Sequence, residues 1–100
     1  MSGDELLELA SRFVANTYSR FPICLVRGEG CRVWDTEGKE YLDFVSGLAV
    51  VNVGHSHPRV VEAIRKQAGE LLHVSNLYHI KPQILLARRL CELSFAHKVF

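Results

Sequence analysis

The sequence predicts an α+β fold: an N-terminal helix, a three-strand antiparallel meander and two further helices. Three observations carry that prediction. Leu6, Leu7, Ala10, Phe13, Val14 and Tyr18 recur at helical spacing. Short apolar runs between residues 23 and 45 are separated by glycine-bearing turns. Beyond them, Pro58 and Pro82 each open a stretch with a single apolar helical face.

Residues 3–17 read as an amphipathic helix, and Ser2, three positions before Glu5, sets up a capping box at its start. Pro22 closes this segment, and the period then changes. Ile23 and Leu25, then Val33 and Trp34, then Tyr41, Leu42 and Phe44 form the strands. Gly28-Glu29-Gly30 and Asp35-Thr36-Glu37-Gly38 are their hairpin loops, because glycine supplies the positive φ such turns need. Trp34 is expected in the core, with Asp35 starting the turn after it. From Ser46 to His57, Gly47, Asn52 and Gly54 stand among apolar residues, the pattern of a buried loop with irregular backbone. Such loops commonly serve a site; Leu48, Val50 and Val51 are expected in the core.

The helix opened by Pro58 carries Val60, Val61, Ile64, Ala68 and Leu72 on one face, with Glu62 placed to pair with Lys66 one turn on. The helix opened by Pro82 carries Ile84, Leu85, Leu86, Leu90 and Leu93, with Arg88 and Arg89 toward its carboxyl end, where the helix dipole favours cations. Lys98-Val99-Phe100 reads as the start of a buried strand, so the expectation is a chain that continues past Phe100.

Composition bounds the function. A chain of 100 residues with 48% hydrophobic and 23% charged side chains is globular in makeup and long enough for one core. A net charge of +1 with both signs interspersed excludes a nucleic-acid footprint and a polybasic membrane patch. Apolar runs such as Leu48 to Val51 are far too short to span a bilayer. Cys24, Cys31 and Cys91 are odd in number and unrelated in spacing, which points to a reducing compartment. With no secretory leader pattern after Met1, the expected location is the cytoplasm.

Phosphate-binding P-loops, nucleophile elbows, His-Glu-x-x-His and Cys-x-x-Cys motifs are all missing, and Gly28-x-Gly30 is followed by Val33 where a dinucleotide fingerprint requires glycine. The carboxylate pairs Asp4/Glu5 and Glu37/Glu40 fall on a helix start and a turn, where they serve solvation. His55 and His57 have two readings. With His73, His79 or a cysteine they would complete a zinc site, making the chain a non-catalytic binding module. Alternatively His57 caps the helix that Pro58 opens, and His55 hydrogen-bonds within its loop. Tyr18, after the first helix, and Ser46-Gly47-Leu48, opening the glycine-containing loop, are the candidate pocket walls.

The order of motifs is more informative than any one of them. Cys31-Arg32-Val33-Trp34-Asp35-Thr36-Glu37-Gly38-Lys39-Glu40-Tyr41-Leu42-Asp43-Phe44, then Gly47-Leu48-Ala49-Val50, then Gly54-His55-Ser56-His57-Pro58, then a helix and His73-Val74-Ser75-Asn76 resembles the N-terminal segment of class III aminotransferases. Within that family the pattern is most similar to the branch acting on N-acetylornithine. The resemblance implies an α/β fold type I transferase that depends on pyridoxal 5'-phosphate and is normally a homodimer. It further implies that residues 1–57 are the helix, meander and active-site loop of the small domain, and that residues 58–100 are helices leading into a large domain lying beyond the chain.

The implied reaction is a ping-pong transfer of an amino group to 2-oxoglutarate, in arginine biosynthesis, with the cofactor ring as electron sink. Ornithine, 4-aminobutyrate and succinyl-diaminopimelate are the alternative donors. Tyr18, Ser46, Gly47 and Leu48 inherit substrate contact by position, Leu48 tuning the side-chain pocket. No residue of the chain inherits a catalytic, cofactor-binding or metal-binding role. The phosphate-cradling turn, the ring-stacking aromatic, the aspartate for the pyridine nitrogen, the arginine for the substrate carboxylate and the cofactor lysine all come later in relatives. The 100 residues alone are therefore expected to be inactive.

Overall fold

The computed structural model describes residues 1–100, which divide into two compact units, Met1–Arg65 and Lys66–Phe100. The division falls inside a continuous helix. The first unit contains α1 (Gly3–Phe13), β1 (Leu25–Glu29), β2 (Arg32–Asp35), β3 (Glu40–Leu42), a single helical turn α2 (Ser46–Ala49) and most of α3 (Pro58–Glu70). The second contains the end of α3, a 3₁₀ turn at Ser75–Leu77 and α4 (Lys81–Glu92).

The predicted capping box is formed: Ser2 Oγ accepts from the Glu5 N–H at 3.3 Å, and the Ser2 N–H donates to Glu5 Oε2 at 2.7 Å. The helix stops at Phe13, four residues short of the expected end, and Val14 is already extended with φ −97° and ψ 127°. Branched Val14, then Asn16 and Thr17, are poor helix formers, and the helix closes on the bond from Val14 N–H to the Ala10 carbonyl. At its other end the Gly3 N–H donates to Glu37 Oε1 at 2.8 Å, so a carboxylate from the β2–β3 turn sits on the positive end of α1. The hydroxyl of Thr36, followed by that Gly3 amide, holds the Glu37 carboxyl below its ordinary value.

The sheet is the predicted meander, in the order β1-β2-β3 and antiparallel throughout. Two details differ from the expectation. Gly28 pairs with Val33 inside β1, and the first hairpin turns at Gly30 and Cys31, because Glu29 already pairs with Arg32. Val26 is bulged, which places Arg27 opposite Trp34 with the guanidinium 4.3 Å above the indole centroid. The second hairpin follows prediction. Asp35 Oδ1 accepts from the Glu37 and Lys39 amides at 3.0 and 2.8 Å, and its Oδ2 accepts the Tyr41 hydroxyl at 2.8 Å. Desolvation pushes the Asp35 carboxyl upward, but the Tyr41 hydroxyl and the two amides outweigh it, and the net shift is downward.

Val33 is the single buried hydrophobic residue, so the expected core is nearly unfilled. Trp34 and Val51 are half-buried, whereas Leu48 and Val50 are exposed, against expectation. Ile64 on α3 and Leu85, Leu86 and Leu90 on α4 are exposed as well, and their apolar faces find no cover within the 100 residues. Glu62 and Lys66 form no ion pair; the helical pair that does form joins Arg88 Nε to Glu92 Oε1 at 2.7 Å. Exposed pairs of either kind contribute little. Residues 98–100 form no strand, since an extended chain becomes one only by pairing with a neighbour.

Candidate functional site

The site predicted around residues 46–48 lies in the first unit, just after β3, and its backbone is unusual. Ser46, Gly47, Leu48 and Ala49 have φ of 56°, 64°, 60° and 61°, so α2 is one left-handed helical turn. Val45 at φ −104° and Val50 at φ −88° return the chain to right-handed conformations on either side. The turn is closed by Ala49 N–H to the Val45 carbonyl at 3.0 Å and Val50 N–H to the Ser46 carbonyl at 2.8 Å. A left-handed conformation costs about 1–2 kcal/mol for each residue bearing a Cβ, and only Gly47 escapes that cost. Such strain persists only where neighbouring structure imposes it.

Asp43 contacts the turn, and His55 contacts Asp43. Asp43 Oδ1 accepts from the Val45 N–H at 2.8 Å and the Ser46 N–H at 2.9 Å, which fixes entry into the turn. Its other oxygen, Oδ2, meets His55 Nε2 at 2.5 Å, and the Asp43 N–H is tied to the Cys31 carbonyl at 2.8 Å. His55 is itself held by two backbone bonds to Gly30, 2.8 and 3.0 Å long. The imidazole lies so close over β1 that a Cβ at position 28 would stand 2.7 Å from His55 Cβ and Cγ, which is why that strand position is glycine. The His55 ring, followed by the Ser46 and Val45 amides, holds the Asp43 carboxyl at about 2. The carboxyl is therefore ionised, and the His55 nitrogen facing it carries the proton.

His57 behaves as a cap: its Nδ1 accepts from the Arg59 N–H at 3.2 Å and its carbonyl from the Val61 N–H at 2.9 Å. The two rings of the His-x-His pair are thus committed to separate hydrogen bonds, and no three His, Cys, Asp or Glu side chains are grouped to hold a metal. Together with Arg27, Gly28, Val53 and Pro58 they border a shallow hollow of about 520 Å³.

Tyr18 lies elsewhere in the unit. It lines a groove of about 620 Å³ walled by α1 and residues 14–24, with the Arg20 guanidinium 5.3 Å from its ring centroid. None of Ser46, Gly47 or Leu48 borders that groove. The four candidate wall residues are therefore divided between two surfaces. Sequence reasoning passed over Asp43. The signal was an aspartate two and three residues ahead of backbone amides that need an acceptor, the spacing of an Asx turn.

The sequence pattern of the class-III aminotransferases matches residues 13–100, and the chain belongs to that family. Its individual relatives are narrower in kind. It is 55% identical over 95 residues to the acetylornithine aminotransferase of Caldanaerobacter subterraneus subsp. tengcongensis, covering 95% of this chain and 24% of that protein. It is 49% identical over 100 residues to that of Methanocaldococcus jannaschii, covering 100% of this chain and 25% of the other. Among solved structures, the acetylornithine aminotransferase of Elizabethkingia anophelis matches with a TM-score of 0.92 at 37% identity, over 98% of this chain and 26% of that one. The ornithine delta-aminotransferase of Plasmodium falciparum matches with a TM-score of 0.92 at 31% identity, over 98% and 25%. The chain thus has the α+β segment fold of aminotransferase structures and spans about a quarter of the length of these relatives.

Pyridoxal phosphate is the general cofactor of this family. Lys39, Lys66, Lys81 and Lys98 are all exposed and none borders either hollow described above. No buried side-chain nitrogen or oxygen is left without a partner.

Proposed function

We propose that these residues are part of an aminotransferase that moves the amino group of N-acetylornithine to 2-oxoglutarate. The observation that carries this reading is the identity of 55% over 95 residues to a protein named for that activity. Pyridoxal phosphate supplies the electron sink for amino transfer, held by residues outside these 100, the cofactor lysine among them. In this reading the enzyme is a cytoplasmic homodimer acting in arginine biosynthesis, and residues 1–57 and 58–100 belong to its small and large domains.

Within that enzyme the chain's own part is to bind and orient the donor. Tyr18, Ser46, Gly47 and Leu48 contact it, and the exposed Leu48 side chain supplies an apolar wall suited to the acylated end of the molecule. Ornithine is the second donor to consider, because the ornithine aminotransferase of Plasmodium falciparum matches with a TM-score of 0.92. Glutamate formation from 2-oxoglutarate, measured on the full-length protein with N-acetylornithine, ornithine, 4-aminobutyrate and succinyl-diaminopimelate, decides between them. The expected result is the highest kcat/KM with N-acetylornithine. A preference for free ornithine moves the enzyme to the second reading, and no transfer from any donor overturns both.

A further inference from the structure

Nothing in the local sequence asks for four successive left-handed residues, three of which bear a Cβ, yet the chain adopts them at the segment proposed to meet the donor. The groups that hold this turn come from two places far apart in sequence. Asp43 binds the turn at its entrance with one oxygen and reaches His55, twelve residues on, with the other. His55 is fixed against β1 by its two bonds to Gly30 and by ring contact over Gly28. Beyond the Asp43 N–H bond to the Cys31 carbonyl and the chain itself, the turn is linked to the sheet by one side-chain contact, the carboxylate–imidazole pair.

We propose that Asp43 and His55 are positioning residues: their contact holds the left-handed turn Ser46–Ala49 against the sheet, and thereby sets where Ser46, Gly47 and Leu48 meet the amino donor. The second half of this inference rests on the proposed function; the first half does not. Only His55 faces the second Asp43 oxygen, and the other contacts of the carboxylate are backbone amides. Without the carboxylate, the Val45 and Ser46 amides lose their acceptor, and only the turn's own backbone bonds oppose the strain of its left-handed dihedrals. Chain relaxation to ordinary dihedrals would carry the Leu48 side chain away from its present position.

The test uses the full-length protein with Asp43→Ala, Asp43→Asn and His55→Gln, each read two ways. Amide hydrogen exchange at Val50 and Val51, whose N–H groups both donate to the Ser46 carbonyl, reports the turn directly. Asp43→Ala is expected to speed exchange there by about tenfold or more while β2 amides stay within about twofold. Asp43→Asn keeps an oxygen for the Val45 and Ser46 amides and is expected to fall between Asp43→Ala and wild type. The same Asp43→Ala substitution should raise KM for the donor about fivefold or more with kcat changed less than about twofold, and leave KM for 2-oxoglutarate less affected. Unchanged exchange at Val50 and Val51, or equal acceleration across β2, overturns the clamp. A faster turn with unchanged donor KM overturns its role in positioning. An inactive wild-type enzyme overturns the proposed function, and the exchange measurement still decides the clamp.

Discussion

Gly28→Ala and Gly54→Ala are each expected to destabilise the first unit strongly, and by a shared route. A Cβ at position 28 would stand 2.7 Å from His55 Cβ and Cγ, so the imidazole must leave its place over β1. At position 54 the obstacle is backbone: the added carbon would lie 2.9 Å from Gly30 Cα, and φ of +91° is a conformation that side-chain-bearing residues rarely adopt. Neither neighbour yields freely, because His55 and Gly30 exchange two backbone hydrogen bonds. Overpacking of this kind costs about 1–3 kcal/mol, and the unfavourable dihedral adds to the cost at position 54. Urea denaturation followed by circular dichroism should therefore place Gly54→Ala below Gly28→Ala and both below wild type. A Gly28→Ala protein as stable as wild type would show that the imidazole does not rest on the strand.

Acid should dissolve the same region. Asp43 is held at about 2 against an ordinary 3.8, and Asp35 and Glu37 are both held below their ordinary values of 3.8 and 4.5. A depressed carboxyl binds fewer protons folded than unfolded, so its contribution is complete above the unfolded value and falls away as pH drops through the folded one. For Asp43 the loss spans pH 3.8 down to about 2. Protonating Asp43 removes the charge that His55 faces, while protonating Asp35 weakens its grip on the Glu37 and Lys39 amides. Stability measured against pH should fall through this window, with a smaller fall in Asp43→Asn, which has no carboxyl to titrate there. Equal acid sensitivity in the two proteins would separate Asp43 from the acid transition.

Local patterns were legible in the sequence where the chain itself supplies both partners. Ser2 and Glu5 lie three residues apart and form their capping box; Asp35 and Gly38 make their hairpin; Pro58 and Pro82 open helices. Features that depend on distant partners were not legible. Periodicity alone extended α1 to residue 17, although Val14, Asn16 and Thr17 are poor helix formers. Leu48 and Val50 read as core because they are apolar, yet burial needs a covering surface, and the 100 residues do not provide it. At the candidate site, Ser46, Gly47 and Leu48 were marked by a glycine in an apolar loop. Their left-handed geometry was not: Asp43, which bonds the turn, was passed over, and its partner His55 lies twelve residues further on.

The most direct test of the central claim is a crystal structure of the full-length protein with N-acetylornithine, or an unreactive analogue of it, bound. The account predicts that Ser46–Ala49 stays left-handed under the Asp43–His55 contact and that Tyr18, Ser46, Gly47 and Leu48 lie against the donor. In that case the two surfaces separated within these residues are completed by the rest of the enzyme or by a second copy. A donor bound with none of these four residues in contact would contradict the account.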